Sequence, residues 1–269
     1  MMEVTWSDED EAQWKREVEQ LFAQKLRAAL DQHGDPLTVG NQLGELLRAV
    51  ESDAAKLVIP RARKWAGLES LPRWEELLRD ESMLLELRAI GTSIANTMRP
   101  LAGNTFSAWV SELLNKSFES RSLPMRSFTT GPLKVGLSKK FVIREGDQRI
   151  DLRPDIDIVV AYQSPNRQAV PLAIISAKTT LAERVMQTIN WTRYKTDERL
   201  PEEVRSIKLY LVTAWETFAE SDVNRERVQE LDGVYVCNTK FQRYGNIKPF
   251  EEMLDDLKSL LPDEAISSS

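Results

Sequence analysis

The chain has 269 residues, of which 42% are hydrophobic, and this is enough apolar material for one large domain or for a core with an added subdomain. Its formal net charge of −6 and pI near 5.2 argue against a protein that coats nucleic acid non-specifically. The acidity does not exclude a nuclease, because affinity for phosphates depends on where Lys and Arg cluster.

The sequence also limits the compartment and the metal chemistry. It contains no run of about eighteen apolar residues that would span a membrane, and its acidic start lacks the basic and apolar regions of a signal peptide. We therefore expect a cytoplasmic protein with no membrane partner. A single cysteine, Cys237, and a single histidine, His33, cannot form an internal disulfide or the usual zinc site. Any metal must use oxygen ligands, as Mg2+ does.

The N-terminal part has the pattern of helices. Apolar residues recur at three- and four-residue spacing in segments 12–32, 39–52, 73–98 and 105–120. Segments rich in Pro and Gly, "HGDP", "SLPR" and "MRPLAGN", are predicted to separate these helices. In the last helix, the spacing predicts that a core stripe is formed by Phe106, Val110, Leu113 and Leu114.

After about residue 121 the pattern changes to short β-branched runs bounded by turns. Strands are predicted at 139–146, 155–163, 171–177, 207–215 and 233–238, with helices at 180–196 and 248–261. This order predicts a mixed α/β fold, with a central mixed sheet flanked by helices and preceded by a helical subdomain. We expect an N-terminal helical subdomain at 1–100 and a catalytic domain at 101–269.

Two predicted neighbouring strands carry charged residues that face the same side. Because side chains alternate along a strand, Asp155 and Asp157 share one face, and Ser176 shares a face with Lys178. Carboxylates that hold a divalent cation and a lysine that orients water are the groups that phosphodiester hydrolysis needs. The alternative is that these charges only mark solvated strand ends, since short motifs of this kind are often not catalytic.

The two segments resemble a known family. "RPDIDIVV" and "IISAKTTLAERVMQ" are similar to the PD-(D/E)XK superfamily of type II restriction endonucleases, in the branch that cuts CCGG or CC and GG around a central base. The similarity covers about residues 103–260. It implies a restriction-endonuclease-like fold and Mg2+-dependent cleavage of double-stranded DNA. A palindromic target would be bound most simply by a two-fold homodimer.

The resemblance also implies catalytic roles. Asp155 would bind the metal and Lys178 would orient or activate water, while Ser176 stands where the superfamily has an acid. In this branch a carboxylate comes from elsewhere, and Glu112, on the helix before the sheet, is the candidate for that second metal ligand. Gln187 is a further neighbour, which would act only as a neutral ligand or through water. The alternative for Glu112 is an exposed helix glutamate.

DNA contacts are expected in the helix after Lys178. The family carries a basic residue, an acid and an arginine there, and this chain has Ala182, Glu183 and Arg184. A glutamate can accept from cytosine and an arginine can donate to guanine in the major groove, whereas Ala182 departs from the pattern and leaves the recognised sequence open. A basic run near the proposed site is a candidate for phosphate contacts, with a solvated strand face as the alternative; it comprises Lys134, Lys139, Lys140 and Arg144.

The leading interpretation is a type II restriction endonuclease that acts in a restriction-modification system. Two alternatives remain open. One is a DNA repair or structure-specific nuclease of the same fold, and the other is a non-catalytic DNA-binding module with a decayed site, since Ser176 replaces an acid of the motif.

Overall fold

A computed structural model describes residues 8–65, 81–145, 148–151, 154–164, 166, 168–179, 197–215, 217 and 220–266. The chain divides into two compact units: residues 1–28 with 46–105, and residues 29–45 with 106–269. The division is discontinuous along the chain and assigns segment 29–45 to the second unit. The functional domains 1–100 and 101–269 stay a prediction.

The described part of the first unit is helical. It contains most of α1 (Asp8–His33) and α3 (Leu43–Trp65), and the first part of α4 (Glu81–Ser120). The buried stripe of α1 has the predicted four-residue spacing and consists of Trp14, Val18, Phe22 and Leu26. Within this unit the Thr97 hydroxyl donates to Glu11 at 2.7 Å. The predicted amphipathic helix at 12–32 is therefore confirmed.

The "HGDP" break lies where the sequence predicts it. Helix α1 ends at His33, Gly34 has a φ of 71°, and α2 (Pro36–Asn41) begins at the proline. The carboxylate of Asp35 accepts hydrogen bonds from the Thr38 backbone N–H and hydroxyl, each at 2.9 Å. Glycine supplies the left-handed turn, and aspartate supplies the N-cap of the next helix.

The "MRPLAGN" segment does not break the helix, so this prediction is wrong. Helix α4 runs without interruption from Glu81 to Ser120 and contains Pro100. A proline inside a helix removes one backbone hydrogen bond and normally bends or ends it. Here the residues just after it, Leu101 and Ala102, are buried, and packing of this kind overrides local propensity.

The second unit is built on a six-stranded sheet with the order β1-β4-β5-β6-β7-β8. The pairs β1·β4 and β4·β5 are antiparallel, and the pairs from β5 to β8 are parallel. The strands of this sheet are β1 (Met125–Phe128), β4 (Ile158–Gln163), β5 (Ala169–Lys178), β6 (Lys208–Thr213), β7 (Gly233–Val236) and β8 (Ile247–Pro249). A separate antiparallel hairpin is formed by β2 (Val142–Glu145) and β3 (Gln148–Asp151).

Short helices surround this sheet. They are α5 (Pro132–Lys140), α6 (Glu202–Arg205), α7 (Asp222–Arg227), the 3-10 turn Phe250–Glu252, α8 (Met253–Lys258) and α9 (Asp263–Ile266). The predicted fold class, a central mixed sheet flanked by helices, is confirmed. No helix in the described ranges is long and apolar enough to cross a membrane.

Several local predictions need correction. Lys139 and Lys140 lie at the end of helix α5, and the strand expected at 139–146 begins only at Val142. Strands β1, β3 and β8 have three or four residues each, too few for a periodic pattern to reveal. In the segment predicted as one helix at 248–261, the first two residues belong to β8. The 3-10 turn and α8 follow them. The predicted helix at 180–196 lies outside the described residues.

Strand alternation divides the sheet side chains between two faces. One face carries Val159, Ile174, Leu209, Leu211, Val234 and Val236, which pack in one cluster with Leu137 of α5 and Val204 of α6. In the second half of α4, the predicted core stripe is fully buried and therefore confirmed: Phe106, Val110, Leu113 and Leu114. The Ser127 hydroxyl in β1 lies 2.7 Å from that of Ser111 and fixes α4 to this strand.

Candidate active site

The site lies where β4 begins and β5 ends. The last backbone pairing there joins Ile158 to Ile175, and the Asp157 N–H donates to the Ile175 carbonyl at 3.2 Å. The carboxylate of Asp157 then accepts the Ala177 N–H at 2.8 Å. A side chain thus takes the place of the next strand carbonyl. Strand β4 begins at Ile158, after Asp155 and Asp157, so their predicted position inside the strand is wrong.

Lys178 is the centre of a cluster of charged groups. Its ammonium donates to Oδ2 of Asp155 and, at 2.7 Å, to Oδ2 of Asp157. The Ser176 hydroxyl also donates to Oδ2 of Asp157, at 3.3 Å. The structure therefore brings together Asp155, Asp157, Ser176 and Lys178, as the alternation of side chains predicts. Their catalytic roles stay predictions.

Burial makes this arrangement unusual for a lysine at a strand end. The side chain of Lys178 is 5% exposed, whereas the Asp155 side chain is 38% exposed. Burying an ammonium is costly unless it is paired and hydrogen-bonded, and the two carboxylates supply both partners. A solvated strand end, the alternative interpretation of Lys178, does not fit a buried ammonium.

A second lysine joins the cluster through the backbone. The Lys134 ammonium, on α5, donates to the carbonyl of Thr129 at 3.0 Å and to the carbonyl of Asp157 at 3.2 Å. The sequence places Lys134 only in a basic run, because nothing in a sequence shows which backbone carbonyls will face a side chain.

The donor set is compatible with a hard divalent cation. Oδ1 of Asp155 and Oδ1 of Asp157 accept no hydrogen bond from the described residues. Mg2+ is typically bound by one or two carboxylates, with water and substrate phosphate completing its shell. The residue of this cluster that would hold it is Asp155, the more exposed of the two carboxylates. Among the described residues, no group of three or more His, Cys, Asp or Glu side chains is arranged to hold a metal.

The source of a further carboxylate is not found in the described ranges. Glu112 lies on α4 with its side chain 51% exposed and its Oε1 3.9 Å from the Lys116 ammonium. Its role as metal ligand stays a prediction. The next acid after the predicted helix at 180–196 is Asp197. Side-chain and backbone hydrogen bonds from Arg199 lower the pKa of the Asp197 carboxyl to about 2.

The predicted DNA contacts are only partly described. Glu183, Arg184 and Gln187 lie outside the described residues. Lys139 is exposed on α5, and the ammonium of its neighbour Lys140 lies 2.6 Å from Oε1 of Glu203. Their proposed contacts with phosphates stay predictions, on a helix surface instead of a strand face.

Part of the chain matches a known protein family in sequence. Residues 136–257 match the family described as "BsaWI restriction endonuclease type 2". The matched range is less than half of the chain. No curated protein matches the chain.

Three of the solved structures that resemble the chain are complexes with DNA. A BsaWI–DNA complex, described as a pre-specific restriction endonuclease, has 12% identity and a TM-score of 0.45, and the alignment covers 95% of this chain and 93% of that one. A PspGI–substrate DNA complex has 14% identity, a TM-score of 0.47 and coverages of 89% and 92%. Metal-depleted Ecl18kI with uncleaved, modified DNA has 17% identity, a TM-score of 0.46 and coverages of 95% and 88%.

These TM-scores are all below 0.5, so the likenesses in structure carry no argument about residues or chemistry. The match in sequence is more informative, because its range contains Asp155, Asp157, Ser176 and Lys178. The segment that holds the charged cluster is thus similar to a family of type 2 restriction endonucleases.

Proposed function

We propose that this protein is a type II restriction endonuclease that hydrolyses double-stranded DNA with Mg2+ at a short palindrome containing CCGG, with or without a central base. The observation that carries the proposal is the buried Lys178 ammonium between the carboxylates of Asp155 and Asp157. The similarity of residues 136–257 to a restriction endonuclease family supports it.

Each residue of the cluster has a chemical role in the proposal. A bound Mg2+ supplies polarisation of the scissile phosphate and acidification of water. Asp155, the more exposed carboxylate, is the metal ligand. Lys178 orients the attacking water and offsets the negative charge that develops on the phosphate. Ser176 supports Asp157 through its hydroxyl, and Glu112 is proposed as a further ligand.

Sequence specificity is assigned to the segment after β5. By the family resemblance, Glu183 accepts from cytosine and Arg184 donates to guanine, while Lys139 and Lys140 contact phosphates. A palindromic target matches a two-fold homodimer, in which each protomer contacts one half-site. We assign this activity to the cytoplasm, beside a methyltransferase that protects the host DNA.

One observation keeps a second candidate function in view. Within the described ranges, no third acid joins Asp155 and Asp157 in a metal-binding group, as expected for a DNA-binding module that has lost catalysis. A repair or structure-specific nuclease of the same fold would share the Lys178 cluster, and its substrates would be branched or broken DNA.

Plasmid cleavage tests the proposal. We expect the full chain to give discrete fragments in Mg2+ and none with EDTA, and sequencing of the cut ends to give one palindrome. Lys178→Met should lower the single-turnover rate by about 100-fold or more, the usual loss of a group that assists proton transfer. Lys258→Met is the matched control, since Lys258 is exposed on α8.

The outcomes separate the candidates. Cleavage confined to branched or broken DNA would favour the structure-specific nuclease. Sequence-specific binding without any cleavage by the folded wild-type protein would favour the non-catalytic module. A Lys178→Met protein that melts like wild type and cuts at the wild-type rate would remove Lys178 from the mechanism.

A further inference from the structure

We propose that Lys134 is a positioning residue of the active site, which acts through Asp157 on Lys178; this inference rests on the proposed nuclease function. The Lys134 ammonium bonds two backbone carbonyls, those of Thr129 and Asp157, at 3.0 and 3.2 Å. Lys134 therefore links the segment after β1, at Thr129, to the segment before β4, at Asp157. The carboxylate of Asp157 in turn bonds Lys178.

The two segments need such a link because the sheet ends there. The antiparallel pairing of β1 and β4 has Phe128 and Val159 as its last pair on this side. Thr129 and Asp157 lie beyond this last pair. The β1·β4 pairing therefore supplies no N–H group to hydrogen-bond their carbonyls. The Lys134 ammonium, a charged donor, supplies these two partly buried carbonyls with the hydrogen bonds that the β1·β4 pairing does not provide.

Asp157 transmits this restraint to the catalytic lysine. Its carbonyl accepts from Lys134, its N–H donates to Ile175, and its carboxylate accepts from Ala177 and Lys178. With backbone and side chain both fixed, Asp157 holds the Lys178 ammonium in one place. Loss of the Lys134 bond would free one side of this residue and allow Lys178 to shift.

Helix α5 provides a firm base for the lysine. Leu137 of α5 is buried in the cluster that packs on the sheet, and the Ser138 hydroxyl bonds the carbonyl of Lys134 at 2.8 Å. Two of the three ammonium N–H groups of Lys134 are directed to carbonyls. A phosphate contact, the role expected from the basic run, is therefore the less fitting role for this lysine.

The test compares Lys134→Met with Lys134→Arg and with the control Lys258→Met. Single-turnover cleavage of a cognate duplex is measured across Mg2+ concentrations, and binding of the same duplex is measured in Ca2+. We expect Lys134→Met to bind DNA like wild type and to cut about 100-fold more slowly at saturating DNA, as a small misplacement of catalytic groups does. Its half-saturating Mg2+ concentration should rise, and Lys134→Arg should recover part of the rate.

Each result has a defined meaning. Wild-type cleavage rates and Mg2+ dependence in Lys134→Met would overturn the inference, as would a loss of DNA affinity with a normal rate at saturation. If Lys134→Met does not fold, Lys134→Arg decides: a changed Mg2+ dependence at wild-type DNA affinity supports positioning, and an unchanged one overturns it. A wild-type protein that cuts no DNA would instead overturn the proposed function.

Discussion

Asp155 and Asp157 both bond Lys178, but their surroundings differ. Oδ2 of Asp157 accepts from Ser176, Ala177 and Lys178, and its side chain is 22% exposed. Asp155 accepts only from Lys178 among the described residues and is 38% exposed. The carboxylate with fewer bonds and more solvent has more capacity to bind a metal. We therefore propose separate tasks for the two acids, with Asp155 as the metal ligand and Asp157 as the residue that holds Lys178 in place.

Alanine substitutions should separate the two tasks. Asp155→Ala should abolish Mg2+-dependent cleavage and lower the free energy of unfolding by less than Asp157→Ala does, because the buried Lys178 ammonium keeps its bond to Asp157. Asp157→Ala should lower the free energy of unfolding by about 2 kcal/mol, because the buried Ala177 N–H loses its acceptor. Urea denaturation and cleavage assays on both proteins measure this difference. The assignments would be reversed if Asp155→Ala cut DNA normally while Asp157→Ala folded but did not cut. Asp157 would then be the metal ligand.

The sequence predicts this cluster well but not its supports. The alternation of side chains along a strand predicts that Asp155 and Asp157 face the same side. Both carboxylates do bond Lys178, although both residues lie before the strand begins. The role of Lys134 depends on two backbone carbonyls from distant segments. No side-chain pattern encodes such carbonyls, so only the fold reveals the contact.

Helix α3 approaches the sheet very closely at its first turn. A Cβ atom added to Gly44 would lie 2.9 Å from the carbonyl oxygens of Ala214 and Cys237. Ala214 directly follows β6 and Cys237 directly follows β7. The first turn of α3 therefore lies against the C-terminal ends of these two strands. In the sequence, Gly44 is only a residue inside a helical pattern, where glycine is normally a weakness.

Gly44→Ala should therefore destabilise the protein. In an exposed helix, glycine to alanine stabilises by about 1 kcal/mol, but here the methyl group meets backbone atoms that must move, with an expected loss of about 1–3 kcal/mol. Gly91→Ala is the matched control, because a Cβ atom added to Gly91 on α4 would have no atom within 4 Å. Thermal and urea denaturation measure the stability of both variants relative to wild type. Equal stability of the two variants would show that the backbone around Gly44 can adjust to a methyl group without cost.

Predictions of elements succeed where periodicity is long and fail where tertiary packing decides. The stripe that ends with Leu114 is recovered because it spans more than two helical turns. The helix through Pro100 is missed because the buried neighbours Leu101 and Ala102 outweigh a local breaker. Strand β8 is missed because three residues form it.

At the scale of the whole molecule, the chain carries a net charge of −6 and yet is proposed to bind a polyanion. Binding then depends on local basic groups, because a protein's affinity for DNA rises with the number of phosphates that Lys and Arg neutralise. Helix α5 presents such groups: Lys139 is exposed beside Lys140, and Lys134 of the same helix bonds the carbonyl of Asp157 in the charged cluster. This helix is the proposed route by which the backbone of DNA reaches Lys178.

Salt dependence measures that contact directly. We expect the logarithm of the binding constant for a short duplex, measured by fluorescence anisotropy in Ca2+, to fall linearly with the logarithm of salt concentration. Lys139→Met should weaken cognate and unrelated duplexes alike and reduce the slope by about 1, because one phosphate contact is lost. Lys258→Met, also an exposed helix lysine, should leave the slope unchanged. A Lys139→Met protein with the wild-type slope would place the path of the DNA backbone away from α5.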